Sequence, residues 1–228
     1  MHARVRYGGM VLSKTAYYAD FVVYAAIVAG LALSASLRLD WALRTKWLIA
    51  FLAGVAAWTL LEYLLHRFVL HRIPTFAEMH AVHHAAPRAF VGTPTWVSLF
   101  ILWIVIFVPA WRILSLHIAT GLIAGVMLGF LWYGILHHVI HHRRPRFLAV
   151  RLTACIHRHL RHHYAEAPGN FGVSTRLWDR LFGTAEPMVS GHRPSIARSP
   201  STATPAGQNL RHTPTVPAGA GTRQSSSR

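Results

Sequence analysis

The amino-acid sequence predicts an all-α integral membrane protein, a bundle of four transmembrane helices with a histidine-rich helical cap on the cytoplasmic side. Two observations predict this fold. Of the 228 residues, 53% are hydrophobic and 13% are charged, a composition too apolar for a typical soluble globule. The apolar residues also lie in four long blocks, and dense groups of histidines follow the second and the fourth block.

The four blocks have the length and composition of spanning helices, which need about 20 mainly apolar residues. Asp, Glu, Lys and Arg are absent from residues 21–37, 47–61, 90–111 and 113–136. The basic start of the chain, its first apolar run and the sequence ALSAS also fit a cleaved secretory signal, but the further blocks favour an uncleaved first helix. We predict spans at about 17–37, 46–66, 94–111 and 117–136.

The charge of the chain is strongly positive, with 23 Lys and Arg against 7 Asp and Glu and a net charge of +16. In a soluble protein this would suggest a nucleic-acid partner, but the four spans argue against one. If the spans alternate, most basic residues share one side with the termini and both histidine groups. The opposite side has only Arg38, Arg44, Lys46 and Arg112. The positive-inside rule then places the histidines and termini in the cytoplasm, and we expect a bacterial inner membrane.

The segments outside the bundle have a different composition. We predict a cytoplasmic N-terminal segment at 1–16 and a membrane domain at 17–186. Within that domain, residues 147–163 and 174–182 have the pattern of helices that lie against the membrane or cap the bundle. Residues 187–228 are rich in Ser, Thr, Pro, Ala and Gly and hold no acidic residue, which predicts a disordered basic tail.

The 17 histidines are concentrated in two windows, residues 66–84 and 137–163. The histidines outside both windows are His2, His117, His192 and His212. Within each window, histidines three or four positions apart would share one face of a helix. Because two spans separate the starts of the windows, both windows emerge on the same side of the membrane. The sequence therefore brings the two histidine groups to one surface.

Clustered imidazoles of this kind can bind iron, zinc, copper or nickel. The single cysteine, Cys155, excludes an internal disulfide and a thiolate metal site. One transition-metal ion takes about four to six ligands, so the number of clustered histidines favours two ions. In a plainer interpretation the histidines only anchor helices at the membrane interface, which suits one isolated residue better than two HxxHH groups.

Several neighbouring residues have a less direct place in such a site. His138 and His142 lie about 100° around a helix from the residues that precede them, and with His157 they remain doubtful ligands. Three carboxylates could orient a ligand imidazole from outside, or form ordinary salt bridges at helix ends. These carboxylates are Glu62, Glu166 and Asp179.

The order of the histidine motifs, HX4H, HxxHH, HxxxH and HxxHH followed by NFGVSTRLWDRLFGT, resembles the fatty acid hydroxylase superfamily, which includes sterol desaturases and fatty acid 2-hydroxylases. The resemblance covers roughly residues 60–184. The HX4H motif and FG-x-ST-x-LWD most resemble the fatty acid 2-hydroxylases. Two departures are the short stretch between His71 and His80 and the short segment 1–16, which leaves no room for the cytochrome b5 domain that those enzymes often carry.

This resemblance implies a dimetal centre and assigns its ligands motif by motif. The implied ligands are His66, His71, His80, His83, His84, His137, His141, His159, His162 and His163. Two iron ions are expected, with zinc as a substitute in a purified sample, and O2 as co-substrate. A separate electron donor is expected too, of the cytochrome b5, ferredoxin or reductase type.

The implied activity is hydroxylation of a lipid C–H bond, most simply at carbon 2 of a fatty acyl chain. Both histidine windows start where helices leave the hydrocarbon, so the metals would lie near the headgroups, where the carbons next to an acyl carbonyl are closest. Sterol or carotenoid hydroxylation or desaturation is the alternative within the superfamily. A membrane protein that transports or buffers metal is a further alternative, although the spans hold few of the ionisable residues that such a pathway needs.

Overall fold

Four helical segments of the computed structural model are long and apolar enough to cross a membrane. They are Lys14–Arg38, Trp41–Leu70, Thr95–Ile113 and Leu116–His142. The structure describes residues 11–142, 146–165 and 169–186; Glu166, the predicted tail 187–228 and most of the predicted segment 1–16 lie outside these residues. The described residues are helical apart from loops and one isolated bridge between Val11 and Val91. This confirms the predicted all-α bundle of four membrane helices.

We number the α-helices in chain order and call the two π-helical stretches π1 and π2. The membrane segments consist of α1 (Lys14–Arg38), α2 (Trp41–Leu64) with π1 (Leu65–Leu70), α4 (Thr95–Leu102) with π2 (Trp103–Phe107) and α5 (Val108–Ile113), and α6 (Leu116–His142). Three helices complete the described fold: α3 (Pro74–Ala85), α7 (Arg146–Tyr164) and α8 (Leu177–Leu181). Helices α7 and α8 fall where the sequence predicted cap helices.

Two membrane helices continue past their apolar blocks toward the histidines. The second span runs through π1 to Leu70, and α6 runs to His142. No glycine or proline lies within either extension. The histidines of these extensions therefore stand on helices that are anchored in the bundle.

Helices α2 and α6 make the most extensive helix contact in the bundle, and glycines make it possible. A Cβ atom on Gly125 would overlap the carbonyl oxygen of Phe51, and one on Gly54 would overlap the carbonyl oxygen of Leu122. Small residues at such a contact let two helix backbones approach closely in a membrane. The close contact thus joins α2, which continues into π1 with His66, to α6, which carries His137 and His141.

We expect Gly125→Ala to destabilise the bundle, because the added methyl group would meet backbone atoms that cannot rotate away. Overpacking of this kind costs about 1–3 kcal/mol. Gly30→Ala is the matched control, since a Cβ at Gly30 has nothing within 4 Å. Thermal unfolding in detergent compares the two variants. A Gly125→Ala protein that melts like Gly30→Ala would contradict the close packing of α2 and α6.

Helix α7 packs against the cap end of α6 through an apolar contact. Leu136 and Ile140 of α6 form a buried cluster with Val173. Three residues of α7, each four positions apart and so on one helix face, pack against that cluster: Leu152, Ile156 and Leu160. This contact brings the histidines of α7 next to those of α6.

Candidate metal centre

The ten histidines predicted as ligands gather into two groups of five. Within each group, five imidazole nitrogens, one from each residue, lie within 4.8 Å of one another. Cluster A consists of His66, His71, His80, His84 and His162. Cluster B consists of His83, His137, His141, His159 and His163. Each cluster takes residues from both histidine windows, so neither window forms a site alone.

Helical periodicity decides which histidine joins which cluster. On α3, the first and last histidines of the motif HAVHH lie four positions apart and join cluster A, whereas His83 joins cluster B. On α7, the first and last histidines of the motif HLRHH join cluster B, and only His162 joins cluster A. Because α3 and α7 each contribute to both clusters, they hold the two sites at a fixed separation.

The π-helical turn π1 brings His66 and His71 together. On an α-helix, side chains five positions apart point about 140° away from each other. A π-helix joins residues five apart by its hydrogen bonds, so it places such side chains nearly one above the other. The two imidazole rings are stacked here with centroids 5.3 Å apart. The HX4H spacing therefore works as a ligand pair because the second span ends in π1.

Backbone carbonyls fix the proton position on two histidines of cluster A. The Nδ1 atom of His66 donates to the carbonyl oxygen of Phe171 at 2.6 Å, and that of His162 donates to the carbonyl oxygen of Gly169 at 2.9 Å. A neutral imidazole carries one proton, so Nε2 of both rings keeps its lone pair. Histidines that bind metals are typically held in this way.

The Nε2 atoms face one another at short distances inside both clusters. Nε2 of His66 lies 3.0 Å from that of His80 in cluster A, and the Nε2 atoms of His141 and His159 are 2.9 Å apart in cluster B. Nε2 of His80 lies equally close to that of His84, and Nε2 of His83 is close to those of both His137 and His163. One Nε2–H can donate to only one such neighbour, so each cluster keeps lone pairs at its centre. Neutral imidazole nitrogens that converge in this way are a donor set that fits iron or zinc.

Burial keeps these histidines uncharged. Burial lowers the pKa of His71 to about 4 and the pKa values of His83 and His162 to about 3. The ordinary pKa of a histidine is near 6.5, so these groups stay neutral well below neutral pH. Neutral imidazole is also the form that binds a metal ion.

Two buried carboxylates bind the loop whose backbone carbonyls accept hydrogen bonds from His66 and His162. Asp179 accepts hydrogen bonds of 2.8 Å from both backbone N–H groups of residues 171–172. Glu62 accepts hydrogen bonds from the backbone N–H groups of residues 173 and 174 and from the hydroxyl of Ser174. Neither carboxylate has a hydrogen bond to an imidazole among those described. Their support of the clusters is therefore indirect, through the loop carbonyls.

The three doubtful ligands lie away from both clusters. Nδ1 of His138 is 3.2 Å from the hydroxyl oxygen of Tyr17. The ring of His142 stacks on Phe90 with centroids 5.5 Å apart, and His157 is exposed on α7. Their separation follows from helix geometry, because a shift of one position turns a side chain about 100° around the axis.

The part of the chain that carries the clusters has a known family pattern. A family model described as fatty acid hydroxylase matches residues 51–184, which include all ten clustered histidines. The chain belongs to the fatty acid hydroxylase family. This confirms the resemblance that the histidine motifs predicted over residues 60–184.

Members of the fatty acid hydroxylase family that resemble the chain act on lipids according to their names. The dihydroceramide fatty acyl 2-hydroxylase FAH2 of Arabidopsis thaliana is 32% identical over 146 residues, and the fatty acid 2-hydroxylase of Rattus norvegicus is 33% identical over 149 residues. The alignments cover 58% and 60% of this chain, but only 58% and 39% of those two proteins.

The family likeness extends to three dimensions. The solved structure of full-length scs7p, in which only the hydroxylase domain is visible, matches the chain with a TM-score of 0.64 and 27% sequence identity. The match covers 75% of this chain and 67% of that chain. The membrane bundle and its cap are therefore built in the same way as that hydroxylase domain.

A cavity of about 450 Å³ lies between the clusters and the interior of the bundle. Histidines of both clusters line it, His66 and His80 from cluster A and His83 and His137 from cluster B. Its remaining wall is mainly apolar, with Phe21, Trp58, Leu102 and Phe130 contributed by α1, α2, α4 and α6. Clefts and cavities of about 300–1,000 Å³ with mainly apolar walls are typical of small-molecule sites.

Sequence reasoning missed two features that the structure adds to this site. The backbone carbonyls of Gly169 and Phe171 give no signal in residue type, although the NFG sequence marks their loop. Asp20 lines the cavity from α1. The signal that could have pointed to it is its position, because an acidic residue within an apolar span usually has a functional role.

Proposed function

We propose that the chain is a membrane-bound di-iron hydroxylase that uses O2 to place a hydroxyl group on carbon 2 of a fatty acyl chain. The observation that carries this proposal is the pair of five-histidine clusters, both of which open onto one apolar cavity in a membrane bundle. Membership of the fatty acid hydroxylase family and the lipid substrates named for its relatives support it.

In this proposal each cluster holds one metal ion through five imidazole nitrogens. With two iron ions bound, the centre supplies the redox chemistry by which a C–H bond, O2, two electrons and two protons yield an alcohol and water. Iron is proposed on the basis of the family, and zinc would occupy the same nitrogens in a sample purified without iron. The ten histidines would hold the centre, and the loop at residues 169–174 orients two of them, His66 and His162.

The protein's own contribution to the reaction is to position one methylene group and to exclude water. The apolar side chains of the cavity favour an acyl chain over water. Of the histidines at the cavity, His66 and His137 lie near the ends of the second and fourth spans. In this proposal the clusters are therefore near the level of the lipid headgroups. An acyl carbonyl lies at this depth, so carbon 2 is the methylene group that comes closest to the clusters. Precise placement of this kind supplies a large share of enzymatic rate enhancement.

We further propose that the cap faces the cytoplasm, where a separate electron donor reaches it. The excess of basic residues on the histidine side supports this orientation through the positive-inside rule. The donor would be a cytochrome b5-like protein, a ferredoxin or a reductase. A bacterial inner membrane is the proposed location.

Expression of the chain tests the proposed reaction. We expect 2-hydroxy fatty acyl groups to appear in the lipids of cells that express the wild-type chain and to be absent with His83→Ala, because His83 belongs to cluster B and lines the cavity. Mass spectrometry of total lipid after hydrolysis measures them. The matched control is His157→Ala, which alters an exposed histidine outside both clusters.

The positions of the new hydroxyl groups decide the result. Hydroxyl groups at carbon 2 with the wild type and His157→Ala, but not with His83→Ala, would support the proposal. An unchanged lipid profile with the iron-loaded wild type would contradict the acyl substrate. Products hydroxylated on sterols or carotenoids instead would assign the chain to another branch of lipid hydroxylation.

A further inference from the structure

The cavity is closed at the end away from the histidines. The rings of Tyr24, Trp58 and Phe130 line this end. The ring centroid of Phe130 lies 4.7 Å from that of Tyr24 and 5.3 Å from that of Trp58, so the three rings are packed together. Tyr24 also packs with Ile123 and Met127 in a buried cluster. These rings therefore form a floor, which a lipid chain cannot pass without displacing packed side chains.

The floor lies too close to the histidines for a long acyl chain to fit above it in a straight line. Trp58 precedes His66 by eight positions, and Phe130 precedes His137 by seven. At ~1.5 Å per residue along a helix, the depth of the cavity is about 10–12 Å. The hydrocarbon of one leaflet is about 15 Å thick, half of a core of ~30 Å. A chain that spans one leaflet therefore has to leave the cavity through a side.

Three sides of the cavity are closed by contacts between helices. Helix α6 packs against both α1 and α2. Helices α1 and α4 are joined by a hydrogen bond of 2.8 Å, which the hydroxyl of Tyr24 donates to that of Ser98. Helices α2 and α4, by contrast, have no extensive contact in the described part of the chain. The remaining side therefore lies between α4 and the second span, which consists of α2 and π1.

The exposure of the lining residues places an opening on that side. Among the residues that line the cavity, the exposed ones are Leu65 of π1 at 41%, Phe76 of α3 at 37% and Ile101 of α4 at 46%. Leu65 and Ile101 belong to the second and third membrane spans, so their exposed faces meet lipid. Lipid tails are as apolar as these side chains, so an opening here is compatible with its surroundings. We call the gap bounded by Leu65, Phe76 and Ile101 the side opening.

We propose that the acyl chain of a bilayer lipid passes through the side opening, with its first carbons beside the histidines and its distal part in the surrounding membrane. This inference rests on the proposed function and adds the route by which the substrate reaches the clusters. The lipid stays in the bilayer throughout, so its apolar chain is never exposed to water. The floor then sets no upper limit on chain length, since a longer chain only extends further into the membrane.

Narrowing of the side opening should weaken the binding of long chains selectively. In Ile101→Trp the larger side chain occupies the path of a chain that continues into the membrane, whereas a chain that ends above Trp58 stays inside the cavity. Purified protein in detergent is titrated with a short-chain and a long-chain form of one acyl lipid, and thermal stabilisation reports binding. We expect the apparent dissociation constant for the long chain to rise about tenfold, as overpacking by one ring would cause, and that for the short chain to change much less.

Two further variants separate this effect from a general disturbance. Ile104→Trp makes the same change at an exposed residue of the third span that does not line the cavity, and it should bind both chains as the wild type does. Leu65→Trp narrows the side opening from the second span and should reproduce the selective loss. Unchanged long-chain binding in both Ile101→Trp and Leu65→Trp would overturn the proposed route, and so would an equal loss for the two chain lengths.

Hydroxylation of the two lipids by the same proteins separates this inference from the proposed function. Product from both chains with the wild type, and a loss in Ile101→Trp that is confined to the long chain, would support both. Hydroxylation of both chains at the wild-type rate in Ile101→Trp and Leu65→Trp would leave the function and remove the side opening as the route. A selective loss of long-chain binding without any hydroxylation would leave the side opening and remove the function.

Discussion

Removal of one ligand from either cluster is expected to abolish hydroxylation and to empty one metal site. His80→Ala removes from cluster A a nitrogen that lies 3.0 Å from that of His66, and His137→Ala removes from cluster B one that lies 2.9 Å from that of His83. Changes to the partners that orient metal ligands cost about 10–100-fold in affinity or activity, so loss of a ligand itself should cost more than about 100-fold. Elemental analysis should show a fall from about two metal ions per chain to about one.

The ion that remains serves as the internal control for these variants. A chain that still holds one ion has kept its fold and its other cluster, so the lost activity is then due to the emptied site. His157→Ala should keep both ions and full product formation, because His157 is exposed and belongs to neither cluster. A single-ligand variant with both ions and undiminished product would contradict the division into clusters A and B.

The second large loss of metal affinity and activity is expected on substitution of Asp179. In the described hydrogen bonds, Asp179 has none to a histidine of either cluster. Asp179 is fully buried and accepts the backbone N–H groups of residues 171–172, and the carbonyl of Phe171 accepts the Nδ1 proton of His66. In Asp179→Asn, the amide NH2 would face one of those N–H groups, so at least one hydrogen bond is lost. We expect metal affinity of cluster A and hydroxylation to fall about 10–100-fold.

Competition with a chelator measures this loss. The affinity of one ion should fall in Asp179→Asn while that of the other changes little, because cluster B has no described hydrogen bond to this loop. Glu78→Gln provides the matched control, since it makes the same kind of change at an exposed carboxylate on α3. Wild-type affinity at both sites in Asp179→Asn, or an equal loss at both, would be incompatible with the role given to the loop.

The sequence predicted the membrane helices from a local rule of composition, and it predicted the ten clustered histidines from their family motifs together with helical periodicity. A span without charges is recognised from composition, and helical periodicity places histidines four apart on one face. The number of spans between the windows then placed both on the same side. The same periodicity explains why His83 and His162 join the opposite cluster from their neighbours, although that division needs the relative positions of α3, α6 and α7.

The rest of the site depends on tertiary contacts that residue types do not reveal. The HX4H motif gives only the spacing of His66 and His71, so it did not predict the π1 turn that stacks their rings. The carbonyls that hold His66 and His162 belong to the backbone and can be supplied by any residue. Glu62 was predicted as a carboxylate that could orient a ligand imidazole, but its hydrogen bonds go to residues 173–174, which lie far from it in the sequence.

Anomalous diffraction at the iron absorption edge, from crystals of the iron-loaded protein, tests the central claim most directly. The account predicts two peaks of similar height, one within cluster A and one within cluster B, with the Nε2 atoms of each cluster around its peak. A single peak shared by all ten histidines, or peaks outside the two clusters, would contradict it.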